Sequence, residues 1–224
     1  VLSAVLDSAA RLQQLVPDAV LVGGSAAAFY AGHRDSFDHD HVLTDLRDRF
    51  DLVLEALESE GEWVTNRVQP GKLIPGRLGD IEAGVRQLIR TRPLETTEVV
   101  LPTGRSLRVP TADETLRIKA FLVVRRNQTR DYLDVAALAD RYGVGHAAYV
   151  LGDLDDYYAD QHGTGHGVAA QVARQLGDPR PADSSVTAQL GAYRNLATRW
   201  TEWDEVRRAC RTLAAAMVDG EDTL

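Results

Sequence analysis

Asp38 and Asp40 stand one residue apart within 37–43, a stretch whose composition predicts a β-strand. Side chains alternate between the faces of a strand, so both carboxylates point the same way, side by side. Two acids that close resist ionising together unless a cation sits between them. Magnesium takes hard oxygen ligands and is usually held by one or two carboxylates plus substrate phosphates. The pair therefore suits a metal–nucleotide site, with Mg2+ as the expected ion and Mn2+ as a possible substitute. On its own, an Asp-x-Asp on an exposed strand is more often a solvated face.

Gly23-Gly24-Ser25 supplies the second component. Two glycines at the end of the apolar run 19–22 let the backbone turn sharply and approach a ligand closely. A helix beginning at Ser25 aims free N–H groups and the positive end of its dipole at an anion, which is a ready phosphate site. Alone, the tripeptide is a tight turn with a capping serine. The conjunction is more specific. A strand, Gly-Gly-Ser, a short helix and a strand bearing Asp-x-Asp bring a phosphate cradle beside a metal site, as a metal–triphosphate requires.

The elements that would hold these residues follow from periodicity. Residues 2–15 have helical spacing, and 19–22 is a short buried strand. Ser25 is placed as the N-cap of a short helix over 26–30. Residues 46–59 form an amphipathic helix with Phe50, Val53, Leu54 and Leu57 on one face. Five β-like segments follow, at 63–68, 72–78, 81–88, 97–101 and 106–109, punctuated by Pro70, Gly71, Gly76, Pro93 and Gly104. From Ala112 the pattern is helical to the end, with Thr111 or Asp113 as a cap and loops at 161–167 and 177–185. The expected fold class is α+β: a mixed sheet with flanking helices over 1–110, then a helical bundle over 111–224.

The composition is that of a soluble globular protein, with 44% hydrophobic and 26% charged residues among 224. The apolar run at 213–218 is too short to span a bilayer, so no membrane partner is expected. No basic stretch followed by an apolar core opens the chain. The single cysteine, Cys210, excludes an internal disulfide and fits a reducing cytoplasm, as a small buried apolar residue. The net charge of −8 is unevenly spread: residues 86–130 hold ten Lys/Arg against four Asp/Glu. Such segregation yields either a cationic surface or a solvated helix face.

Leu21-Val22-Gly23-Gly24-Ser25, Gly32-His33-Arg34-Asp35-Ser36 and Asp38-His39-Asp40 together resemble the signature of the DNA-polymerase-β-like nucleotidyltransferases. Within that superfamily they most resemble the AbiEii and MenT-type toxins of type IV toxin–antitoxin systems. Glu114-Thr115-Leu116-Arg117-Ile118-Lys119 and Arg130-Asp131-Tyr132-Leu133-Asp134 look like that branch's second block. The match covers roughly residues 20–140, and nothing diagnostic follows about residue 145. The sequence departs from the family where His39 and His41 replace aliphatic residues. They either cover the other face of the sheet or, for His41, line the site; imidazole favours softer metals than a carboxylate pair would hold.

The resemblance implies transfer of a nucleoside monophosphate from an NTP to RNA, at the 3′ end of tRNA, with a cognate antitoxin as partner. It implies that Gly23, Gly24, Ser25 and Lys119 contact the nucleotide, and that Asp38 and Asp40 bind the metal. Lys119 is otherwise a snorkelling rim residue. Asp131 falls in the first turn of a helix capped by Thr129, where the dipole alone favours an acid. Asp134, deeper in that helix, is the catalytic partner expected. Asp80 or Glu82 could supply a third carboxylate, or both are solvated. His33 and Arg34 either pack a turn or shape the pocket. His162 and His166, with Gly163, Gly165 and Gly167, lack a preceding strand and a third ligand, so they predict a loop. An aminoglycoside-type nucleotidyltransferase, with Asp153, Asp155, Asp156 and Asp160 forming an acidic acceptor pocket, and a non-catalytic nucleotide-binding module are the alternatives. No short motif reports which NTP is used.

Overall fold

The computed structural model describes residues 1–59, 61–161 and 166–221. Contacts divide the chain into two compact units, Val1–Phe29 with Ser36–Thr111, and Tyr30–Asp35 with Ala112–Leu224.

In the first unit, α1 (Leu2–Leu15) buries Val5, Leu6, Ala9 and Leu12 on one face. It is followed by β1 (Val20–Val22), α2 (Gly23–Ala31), β2 (Asp38–Leu43), α3 (Phe50–Glu58), β3 (Trp63–Thr65), β4 (Leu73–Leu78) and β5 (Ile81–Gln87). The five strands form one mixed sheet in the order β1-β2-β5-β4-β3, in which β2 and β5 are parallel and the other pairs antiparallel. A parallel β2–β5 pair needs a long crossover, which α3 and the β3–β4 hairpin provide. Leu12 and Val16 of α1 and its end, Phe50, Val53 and Leu57 of α3, and Ile74, Leu78, Ala83 and Val85 of the sheet make one apolar core. That core covers a single face of the sheet. The strands β6 (Thr96–Val100) and β7 (Ser106–Pro110) form a separate hairpin. It is tied to α1 by a two-way link, in which Gln13 Nε2 donates to the Arg108 carbonyl and Arg108 N–H to Gln13 Oε1.

The second unit is helical: α4 (Ala112–Arg126), α5 (Thr129–Tyr142), α6 (Val144–Gly152), α7 (Leu154–Tyr157), α8 (Val168–Gly177) and α9 (Trp203–Glu221), with short 3-10 turns between. Phe121 stacks on Tyr158 with ring centres 4.0 Å apart. Cys210 is fully buried, as its sequence context predicts, and its thiol faces the Tyr132 carbonyl at 3.7 Å. Burial pushes that thiol up to about 12, so it is not a nucleophile. Residues 30–35 join this unit through the bonds Ala197 N–H to the His33 carbonyl, Asp35 N–H to the Arg194 carbonyl, and Asn195 Nδ2 to Asp35 Oδ2.

Three local expectations are corrected. The short helix starts at Gly23, so Ser25 lies inside its first turn and is not its cap. The α5 helix starts at Thr129, whose hydroxyl donates to Asp183 Oδ1 at 2.8 Å instead of capping it. The helix expected over 46–59 begins only at Phe50, because Asp45 accepts from the backbone N–H groups of Asp48 and Arg49 and folds a turn first. His162, Gly163 and Gly165 lie outside the described residues.

Candidate active site

The strand β2 alternates as periodicity predicts. Asp38 is exposed and Asp40 half-buried on one face, while His39 and His41 are buried on the other. The buried face is the one α1 covers: His39 Nε2 lies 3.0 Å from the Ser8 hydroxyl. The two rings pack edge to face, with centres 5.3 Å apart. Both imidazoles are therefore core groups that point away from the carboxylates. Burial lowers His39 to about 4 and pushes His41 well below its ordinary value, His39 adding to the second effect.

This gives a stability prediction with a definite window. An unfolded imidazole titrates near about 6.5, so between there and about 4 the unfolded chain binds more protons than the folded one. Stability is full above that window and falls as pH drops through it, by up to about 1.4 kcal/mol per pH unit for each histidine. Urea denaturation at pH 7 and pH 5 measures this. Equal stability at the two values would show that the imidazoles are not held neutral.

On the carboxylate face, β1 ends at Val22, directly paired with Asp40, so the chain turns into α2 beside that residue. Gly23 makes the turn with φ +77, a conformation that favours glycine. A Cβ there would lie 3.5 Å from Asp40 Oδ2. A Cβ on Gly84, opposite Asp40 on β5, would lie 3.2 Å from Asp40 Oδ1. A Cβ would crowd Asp40 at Gly84, whereas at Gly23 it would make ordinary contact, so Gly23 is required there by its φ. Ser25 is buried, and its hydroxyl donates to the Asp38 carbonyl, which stitches the first turn of α2 to β2. Ser36 Oγ lies 3.2 Å from Asp38 Oδ1. Gly23, Ser25, Asp38 and Asp40 are therefore brought together, with the start of α2 contributing backbone N–H groups.

Glu82 is the register partner of Asp38 on β5 and is exposed, whereas Asp80 lies in the turn before that strand. Among the described residues, no three His, Cys, Asp or Glu side chains converge closely enough to ring an ion. The pair fits a divalent ion that keeps phosphate and water oxygens among its ligands. Arg86, one strand over, reaches Asp40 Oδ1 through Nη2 at 3.1 Å and Nε at 3.3 Å.

A second cluster lies within the helical unit. Asp134 is fully buried and accepts from His33 Nε2 at 2.7 Å, Arg34 Nε and Nη2 at 3.0 Å each, and Lys119 Nζ at 2.7 Å. Lys119 is itself 2% exposed and also lies 3.7 Å from Asp131 Oδ1, which Arg126 meets at 2.6 Å. Burial alone would push the Asp134 carboxyl up. Arg34, Lys119 and His33 outweigh it and hold the group well below the usual range. Lys119, Asp131 and Asp134 are thus one internal charge system. His33 and Arg34 belong to it, a hundred residues away in sequence, where no periodicity could have linked them.

The cations of 86–130 are largely spent on partners. Arg105 pairs with Asp7 at 2.8 Å, Arg108 with Glu98 at 3.2 Å, Arg86 with Asp40 and Arg126 with Asp131.

Comparison with solved structures places the fold. The MenT4 nucleotidyltransferase toxin of Mycobacterium tuberculosis superposes with a TM-score of 0.56 at 21% identity, over 95% of this chain and 82% of that one. An H. pylori protein assigned as a nucleotidyltransferase gives 0.53 at 16% identity, over 96% and 97%. The antibiotic-resistance factor ANT(2″)-Ia gives 0.50 at 12%, over 71% and 94%. The chain has the nucleotidyltransferase fold. No protein-family model matches the sequence.

Curated relatives add a different context. The chain is 34% identical over 239 residues to the heme uptake protein MmpL11 of M. tuberculosis, an alignment that covers 96% of this chain and 22% of that protein. It is 32% identical over 179 residues to the mycolic acid-containing lipids exporter MmpL11 of Mycolicibacterium smegmatis, covering 80% and 16%. The chain thus spans about a fifth of the length of the curated relatives it matches. Among the described residues, no helix is long and apolar enough to cross a membrane. In the nucleotidyltransferase fold of this chain, the open sheet face with Asp38 and Asp40 is the candidate active site.

Proposed function

We propose that the chain transfers a nucleoside monophosphate from an NTP to a hydroxyl of RNA, at the 3′ end of tRNA, and that the reaction requires magnesium. The observation that carries this proposal is the placement of two carboxylates on one open sheet face, with the glycine start of α2 against one of them. Asp38 and Asp40 would hold the ion, which when bound supplies charge neutralisation at the triphosphate. The N–H groups at the start of α2 bind the terminal phosphates, and Ser25 fixes that turn to β2. The acceptor hydroxyl gives up its proton, to water or a carboxylate, as its oxygen bonds to the α-phosphorus, the bond to the bridging oxygen breaks and pyrophosphate leaves. Positioning and electrostatics supply the catalysis.

Lys119 and Asp134 keep in this proposal the roles the resemblance gives them. Lys119 is assigned to the phosphates, and Asp134 to orienting Lys119 or helping to accept the hydroxyl proton. The 2.7 Å pair supports the orienting role, whereas at 2% exposure Lys119 sits inside the charge system of the helical unit. A toxin role with a cognate antitoxin belongs to the same proposal. Incubating the protein with each labelled NTP and total RNA tests the acceptor. Label in tRNA is expected; label in protein or a small molecule instead would remove the RNA claim and leave the chemistry.

One observation favours a second reading, a nucleotide-binding module without turnover. The relatives at 34% and 32% identity are named for heme uptake and lipid export, and the chain matches only a segment of each. Magnesium-dependent NTP binding with no transfer to any acceptor would select this reading.

A further inference from the structure

Asp38 and Asp40 share a face, yet their partners differ. Asp38 has a neutral hydroxyl, that of Ser36, at 3.2 Å. Asp40 has a guanidinium, with Arg86 Nη2 and Nε both directed at Oδ1. The pairing follows from the strands. Gly84 is the register partner of Asp40 on β5, and Arg86 stands two residues further on, so it shares that face. With no side chain on Gly84, the arginine can fold back along the strand and reach the carboxylate. The contact is open to water: the Arg86 side chain is 50% exposed and that of Asp40 31%. An exposed pair of this kind is weak and reversible.

We propose that Arg86 is a resident counter-ion of the metal site. Its guanidinium neutralises Asp40 when no divalent cation is bound, and the cation must displace it from Asp40 Oδ1 to bind. This rests on the reading of Asp38 and Asp40 as the divalent-ion site. The physical reason is competition for one oxygen. Two neighbouring carboxylates repel, and a cation that relieves the repulsion lowers the free energy of the empty site. That stabilisation is lost when a divalent ion takes the oxygen, so Arg86 weakens ion binding. Once displaced, the guanidinium lies beside the ion, where its charge is repulsive to that ion and free for an anion. Arg86 thus acts as a positioning residue that couples metal occupancy to the release of a cation at the same face.

The test is Mn2+ binding to the full chain, followed by electron paramagnetic resonance, with no nucleotide present. Arg86→Gln should bind Mn2+ about two- to five-fold more tightly than the parent, the fold-change of an exposed pair. Arg86→Lys, which keeps the charge, should bind Mn2+ within about two-fold of the parent. Thermal melts provide a second readout: in chelator Arg86→Gln should melt below the parent, and added Mn2+ should raise its melting temperature by more. Unchanged or weaker Mn2+ affinity in Arg86→Gln, with Asp40→Asn still abolishing binding, overturns the role of Arg86 and leaves the metal site standing. In a separate titration with nucleotide, a loss of affinity in Arg86→Gln without any change in Mn2+ affinity would make Arg86 a phosphate ligand and overturn the proposal equally. If the parent shows no Mn2+ binding that Asp40→Asn removes, the metal reading fails together with the proposal.

Discussion

Asp40→Asn is expected to lower nucleotidyl transfer by on the order of 10²–10³-fold while leaving the fold intact. The rate effect follows from geometry. Asp40 is the carboxylate that faces Gly84 on β5, and the start of α2 lies directly beside it. Asparagine keeps the shape and one oxygen but removes the charge, so a divalent ion loses an anionic ligand and the triphosphate loses its neutralisation. Stability should move little, because among the described residues the ion pair lost is the exposed one with Arg86, worth at most about 1 kcal/mol. Labelled-NTP transfer and urea denaturation on the same preparation separate the two effects. A variant that transfers at the parent rate would remove Asp40 from the chemistry.

Asp134→Ala should act on the fold itself, destabilising the chain by about 3–5 kcal/mol. The carboxylate is fully buried and takes donors from His33, Arg34 and Lys119. Its removal leaves the Lys119 ammonium and the Arg34 guanidinium buried without that counter-charge, and an uncompensated buried charge is the expensive half of a broken pair. The pH dependence follows with a definite sign. The folded carboxyl lies well below its ordinary value, so the stability it contributes is present above about 3.9, its unfolded value. It is lost as pH falls further, through the folded value. The parent should therefore lose stability in strong acid, and Asp134→Asn should show a shallower loss there. Urea denaturation from pH 7 to pH 2 measures both. A loss below about 1 kcal/mol at pH 7 would mean that the charge system is not what holds these helices.

The contrast between the two aspartates bears on what a sequence can reveal. The shared face of Asp38 and Asp40 is a consequence of a two-residue period, so it is legible in six residues. The mixed sheet with flanking helices, followed by a helical block, is legible from the switch in periodicity at Ala112. The burial of His39 and His41 follows from the same alternation once Asp38 and Asp40 are assigned to the open face, although Ser8 as a partner does not. Helix starts are less legible. Ser25 has the residue type of a cap, but the Asp38 carbonyl takes its hydroxyl; Thr129 is drawn to Asp183 in the same way. Arg86 on Asp40, and His33 and Arg34 on Asp134, are contacts across 46 to 101 residues. Only tertiary packing creates them, and charge along the chain leaves a cationic surface and a solvated face both open, where the structure pairs Arg86, Arg105, Arg108 and Arg126 with acids.

The most direct test of the candidate site is calorimetric titration of the full chain with each of the four NTPs, with and without Mg2+. One or more NTPs should bind only when Mg2+ is present, and Asp38→Asn, Asp40→Asn and Gly23→Val should each abolish that binding. Nucleotide binding that persists in chelator, or that survives all three substitutions, would place the nucleotide elsewhere and leave the two carboxylates as a solvated strand face.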